Sequence, residues 1–117
     1  MARILVVEDE PDMRFVIRHY LEKAGHEVVE AGNGDVALRS VRAAAPDLIV
    51  TDIMMPLMGG LELIGHLRSD PATAAIPILV VSGDSELAGA ADAALAKPFQ
   101  PEDLVRLANA LLKTPVA

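Results

Sequence analysis

Leu48-Ile49-Val50-Thr51-Asp52 sets three aliphatic residues in a row and ends on a carboxylate. A strand with one wet face alternates apolar and polar residues. An unbroken run instead suits a strand covered on both faces, as in a parallel sheet between helices. Ile4-Leu5-Val6-Val7 and Ile78-Leu79-Val80-Val81 repeat the pattern, while Val28-Val29 and Ala93-Ala94-Leu95-Ala96 are weaker and predict the two edges. Between the runs, apolar residues recur at helical spacing. One stripe is Met13, Val16, Ile17, Tyr20, Leu21 and Ala24, with Pro11 suited to the first turn and Gly25 to the end. Val36, Ala37, Val41 and Ala44 predict a second helix, Leu61, Ile64, Leu67 and Arg68 a third, and Leu104, Leu107, Ala108, Leu111 and Leu112 a last one opened by Pro101. Strands alternating with helices, joined by right-handed crossovers, give an α/β fold with an open, doubly wound parallel sheet of five strands.

The 117 residues suit one domain, 1–117. Hydrophobic residues make up 52% and aromatics 3%, so the core is expected to be aliphatic. Ten basic against 17 acidic residues leave a net charge of −7, which argues against nucleic acid and anionic lipid as partners of this domain. With no cysteine, disulfides, thiolate metal sites and thiol nucleophiles are excluded. No apolar stretch is long enough to span a bilayer, and the first residues do not form a signal peptide, so a cytoplasmic location is expected.

In such sheets ligands bind beyond the carboxyl ends of the strands. The first strand ends in Glu8-Asp9, the third in Asp52, the fourth in Ser82-Gly83 and the fifth in Lys97-Pro98. Three carboxylates, a hydroxyl and an ammonium therefore share one rim. Crowded carboxylates repel and take up protons unless a cation intervenes. Oxygen donors without cysteine or suitably spaced histidine favour Mg²⁺ over zinc. Against that ion the three carboxylates leave about one negative charge, which Lys97 offsets, so a phosphoryl group becomes tolerable. Taken singly, each piece has a plainer reading. Glu8-Asp9-Glu10 can serve a helix N-terminus, Asp52 and Ser82-Gly83 can be turn residues, and Lys97 can be a snorkelling surface lysine. Their coincidence at one rim favours the site. His19, His26 and His66 have no partner at ligand spacing.

Taken together, Val6-Val7-Glu8-Asp9-Glu10-Pro11, Asp47 to Pro56, Gly60-Leu61-Glu62-Leu63, Val81-Ser82-Gly83 and Lys97-Pro98-Phe99 resemble the receiver domains of two-component response regulators over nearly the whole chain. The resemblance implies a flavodoxin-like strand order, 2-1-3-4-5. It implies that Asp52 accepts a phosphoryl group from phosphohistidine on a sensor histidine kinase or histidine phosphotransfer protein, to act on a downstream protein target. It further implies Mg²⁺ held by Asp9, Asp52 and the Met54 carbonyl, with Glu8 acting largely through water. Lys97 and Ser82 would meet the phosphoryl oxygens, and the Lys97-Pro98 bond is often cis in the family. No external small-molecule substrate is expected, so the domain is not an enzyme in that sense.

Two departures stand out. Family members usually carry Tyr or Phe three residues before the lysine, where this chain has Ala94. Only ten residues, Gly83 to Asp92, separate the fourth and fifth strands. A crossover usually takes a dozen or more, so the helix there is expected to be short or absent, and ordering of this segment is one way to signal without the aromatic. Met54, two residues beyond Asp52, can screen water without positioning it, which predicts slow self-dephosphorylation. The chain ends soon after the last helix, at Thr114-Pro115-Val116-Ala117, so a stand-alone relay or signalling protein is expected. A pseudo-receiver that binds partners without taking phosphate is the alternative. A phosphohydrolase is disfavoured because position 54 lacks the second Asp such enzymes use.

Overall fold

The computed structural model describes residues 2–55, 57–83 and 91–113. Within them the chain runs β1 (Arg3–Val7), α1 (Pro11–Lys23), β2 (Glu27–Ala31), α2 (Gly34–Ala43), β3 (Leu48–Thr51), α3 (Gly60–Ser69), β4 (Ile78–Ser82), β5 (Ala93–Ala96) and α4 (Pro101–Lys113). All pairings are parallel and the sheet order is β2-β1-β3-β4-β5. The expected short or missing helix between β4 and β5 falls on residues 84–90, which lie outside the described residues.

The unbroken aliphatic runs have a direct physical reason. In β1, Leu5 and Val7 enter one core while Ile4 and Val6 enter the other; Ile78 and Val80 part from Leu79 and Val81 in the same way. One core is closed by α2 and α3 through Ala37, Leu38, Val41, Leu63, Ile64 and Leu67. The opposite core is closed by Ile17 and Leu21 of α1 and Leu104 and Ala108 of α4. Because β1, β3 and β4 are central, neither face of these strands sees water, and the alternation of a half-exposed strand vanishes. The edge strands β2 and β5 are only partly buried.

Helix ends follow local chemistry. Pro11 opens α1, and Gly25, just past its end, takes φ +97°, a conformation that side chains with a Cβ resist. The Asn33 side chain accepts from the Val36 N–H and caps α2. Four stripe positions differ from expectation: Ala24 is exposed, Val16, Val36 and Leu61 are 37%, 37% and 45% exposed, and Leu63 fills the core beside α3 instead. The phase of α3 is set at Gly60, whose N–H donates to the Ile53 carbonyl at 2.8 Å. That seat turns Leu63, Ile64 and Leu67 inward and leaves Leu61 outside.

Candidate functional site

The carboxyl ends of β1, β3 and β5 deliver side chains to one place. The parallel ladder continues one residue past β1, where the Glu8 N–H reaches the Ala31 carbonyl at 3.0 Å, and the Asp52 N–H reaches Val7 at 3.0 Å. These bonds fix both backbones just where the strands stop. Lys97, directly after β5, donates to Glu8 Oε1 at 2.8 Å and to Asp52 Oδ2 at 2.9 Å. Asp52 Oδ1 accepts from the Ile53 N–H at 2.6 Å, so both of its carboxylate oxygens are oriented. The Glu10 N–H donates to Glu8 Oε2 at 3.3 Å. One carboxylate oxygen from each of Glu8, Asp9 and Asp52 lies within 4.8 Å of the others. Ser82 closes β4 opposite Ala96, buried, and the Lys97 N–H binds its carbonyl at 2.9 Å. Met54 follows Asp52 by two residues with a largely exposed side chain, and the Lys97-Pro98 bond is cis.

The electrostatics of this cluster are unbalanced. Glu8 is only 1% exposed. Burial pushes its carboxyl from 4.5 up to about 7; the Lys97 hydrogen bond pulls it back, and the nearby negative charge of Asp52 adds to the rise. Burial draws the Lys97 ammonium down, yet its hydrogen bonds to Glu8 and Asp52 outweigh that and hold it above its usual value. One ammonium thus bridges two carboxylates, with the third, Asp9, close beside them. The donor set is all oxygen and close-set, and it carries excess negative charge. Those properties fit a hard divalent cation.

Two supporting contacts escape sequence reasoning. Gly60 packs so closely against the Asp52 carbonyl that a Cβ would collide with it. The same carbonyl accepts the Thr51 hydroxyl at 2.8 Å. Arg14, on α1, donates from Nη1 to the Glu8 carbonyl at 2.8 Å and from Nε to Glu30 at 3.0 Å. The histidines stay outside the cluster. His26 bridges the Ala2 N–H and Asn109, and His66 sits beside Glu62 on α3.

A parallel sheet in this order, with an acidic cluster and a bridging lysine at its carboxyl edge, defines a receiver-type α/β domain. Residues 4–109 match the response regulator receiver domain, and the chain belongs to that family. It is 36% identical to Protein PilH of Pseudomonas aeruginosa, covering 96% of this chain and 98% of that one. It is also 36% identical to the phosphate regulon transcriptional regulatory protein PhoB of Escherichia coli, where the match covers 95% of this chain but 52% of the relative. Among solved structures, the chemotaxis response regulator CheY4 of Vibrio cholerae superposes with TM-score 0.87 at 32% identity, over 95% of this chain and 98% of that one. The response regulator TrrA of Thermotoga maritima, in complex with Mg²⁺–BeF, gives 0.86 at 34% identity, over 95% and 99%.

Proposed function

We propose that this receiver domain accepts a phosphoryl group on Asp52, in a Mg²⁺-dependent reaction with a phosphohistidine of a sensor kinase or histidine phosphotransfer protein. The observation that carries the reading is the double bridge of Lys97, which holds Glu8 and Asp52 together beside Asp9. A Mg²⁺ ion, when bound, would spread the negative charge that builds on the transferring group. Asp9 and Asp52 would hold it directly, with the Met54 carbonyl completing the protein ligands and Glu8 acting through water.

An Asp52 carboxylate oxygen attacks phosphorus, forming the acyl phosphate as the phosphorus–nitrogen bond breaks and its electron pair returns to the imidazole. Lys97 turns from the Asp52 carboxylate towards a phosphoryl oxygen and keeps the net charge low. The Ser82 hydroxyl donates to another oxygen of the same group. The Ile53 N–H holds the carboxylate in its orientation throughout. The domain promotes its own modification and turns over no external small molecule. A downstream protein is the target, and the location is cytoplasmic; no helix among the described residues is long and apolar enough to cross a membrane.

The test is reaction with a small acyl phosphate donor and Mg²⁺, followed by intact-mass spectrometry of wild type and Asp52→Asn. One phosphoryl group on wild type and none on the variant is expected. An unmodified wild type would leave a partner-binding domain that does not use phosphate.

A further inference from the structure

We propose that Arg14 is a positioning residue for the cation site, holding the Glu8–Asp9 peptide so that Asp9 stays in register with Glu8 and Asp52. The inference rests on the assignment of that cluster as a divalent-cation site.

Three observations support it. First, Arg14 Nη1 donates to the Glu8 carbonyl at 2.8 Å, while the Glu8 N–H is already held by Ala31 at 3.0 Å. Both backbone groups of Glu8 are therefore held, and within the Glu8–Asp9 peptide the carbonyl is the group that Arg14 restrains. Second, the guanidinium is itself anchored. Its Nε meets Glu30 Oε1 at 3.0 Å, and Arg18, one turn further along α1, takes the other oxygen of Glu30. Third, the Arg14 side chain is 24% exposed, so the contacts are partly shielded from water. The chain of contacts runs from Glu30 on β2, through Arg14 on α1, to the peptide from which Asp9 projects.

The sign of the effect separates positioning from simple charge. A guanidinium near a cation site repels the cation, so a purely electrostatic Arg14 would tighten Mg²⁺ binding when removed. A positioning Arg14 weakens it. Arg14→Lys sharpens the contrast, because the charge is kept while the planar fork that spans the Glu8 carbonyl and Glu30 is lost.

Calorimetric titration of Mg²⁺ into wild type, Arg14→Lys, Arg14→Ala and Glu30→Gln at pH 8, with folding checked by circular dichroism, decides the matter. Loss of a partner that orients metal ligands typically costs about ten- to a hundredfold in affinity. Arg14 acts one peptide further out, so about three- to tenfold weaker binding is expected for Arg14→Lys and Arg14→Ala. Glu30→Gln is expected to weaken binding as well, and Arg14→Lys combined with Glu30→Gln to add little to Arg14→Lys alone. Arg14→Lys keeps charge and bulk and is the deciding variant should Arg14→Ala not fold. Wild-type affinity in Arg14→Lys, or tighter binding by Arg14→Ala, overturns the proposal while leaving the cation site intact. Failure of wild type to bind Mg²⁺ overturns both.

Discussion

Glu8→Gln turns the strain in the acidic cluster into a measurable stability. In the metal-free protein, burial above all lifts the Glu8 carboxyl from 4.5 to about 7. The folded state therefore holds this proton more tightly than the unfolded chain. Its contribution to stability is fully present below pH 4.5, fades as pH rises, and is gone above pH 7. A gap from 4.5 to about 7 corresponds to about 3 kcal/mol. Glutamine keeps an oxygen for Lys97 and cannot ionise, so the variant lacks this slope. Urea unfolding in the presence of a chelator, at half-unit steps from pH 4.5 to 8, gives the difference between the two proteins, in which titrations remote from Glu8 cancel. With a slope of about 1.5 kcal/mol per molar, wild type should lose about 2 M in midpoint relative to Glu8→Gln across that range. Saturating Mg²⁺ should restore most of the loss at pH 8. Equal pH dependence in wild type and Glu8→Gln would refute the buried, charge-strained Glu8.

Other outcomes follow from the same geometry. Mg²⁺ should stabilise the fold by roughly 2.7 kcal/mol at a hundredfold excess over its Kd, read as a shift in thermal midpoint that Asp9→Asn abolishes. Arg68 donates to the Ala74 and Ile76 carbonyls, each at 2.8 Å, and to Asp92 at 2.7 Å. Arg68→Ala should therefore cost about 2 kcal/mol in urea unfolding while leaving Mg²⁺ affinity unchanged. Met54→Asn, which offers water a hydrogen-bonding partner beside Asp52, should shorten the acyl phosphate lifetime severalfold when decay is followed by intact mass. An unchanged lifetime would remove that role from position 54.

Where the sequence is legible, the signal is one of periodicity. Leu48-Ile49-Val50 and its counterparts in β1 and β4 read as doubly covered strands because each residue does reach one core or the other. The rim is legible for the same reason: parallel strands bring their carboxyl ends to one edge, so Glu8, Asp9, Asp52, Ser82 and Lys97 are placed by counting. What stays hidden depends on contacts with no sequence period. Arg14 binds a backbone carbonyl, which every residue possesses, and a glutamate sixteen positions away on another element. The phase of α3 departs from the apolar spacing at Leu61 because Gly60 seats against Ile53 and Asp52, a contact between backbones that the spacing does not encode. The departure between β4 and β5 falls on residues 84–90, outside the described residues.

The most direct test is a crystal structure of the chain with Mg²⁺ and beryllium fluoride. The account predicts the fluoroberyllate on the Asp52 carboxylate, one Mg²⁺ touching both Asp9 and Asp52, and Lys97 Nζ on a fluorine. An ion bound away from these carboxylates, or an Asp52 left bare with Lys97 turned to solvent, would contradict it.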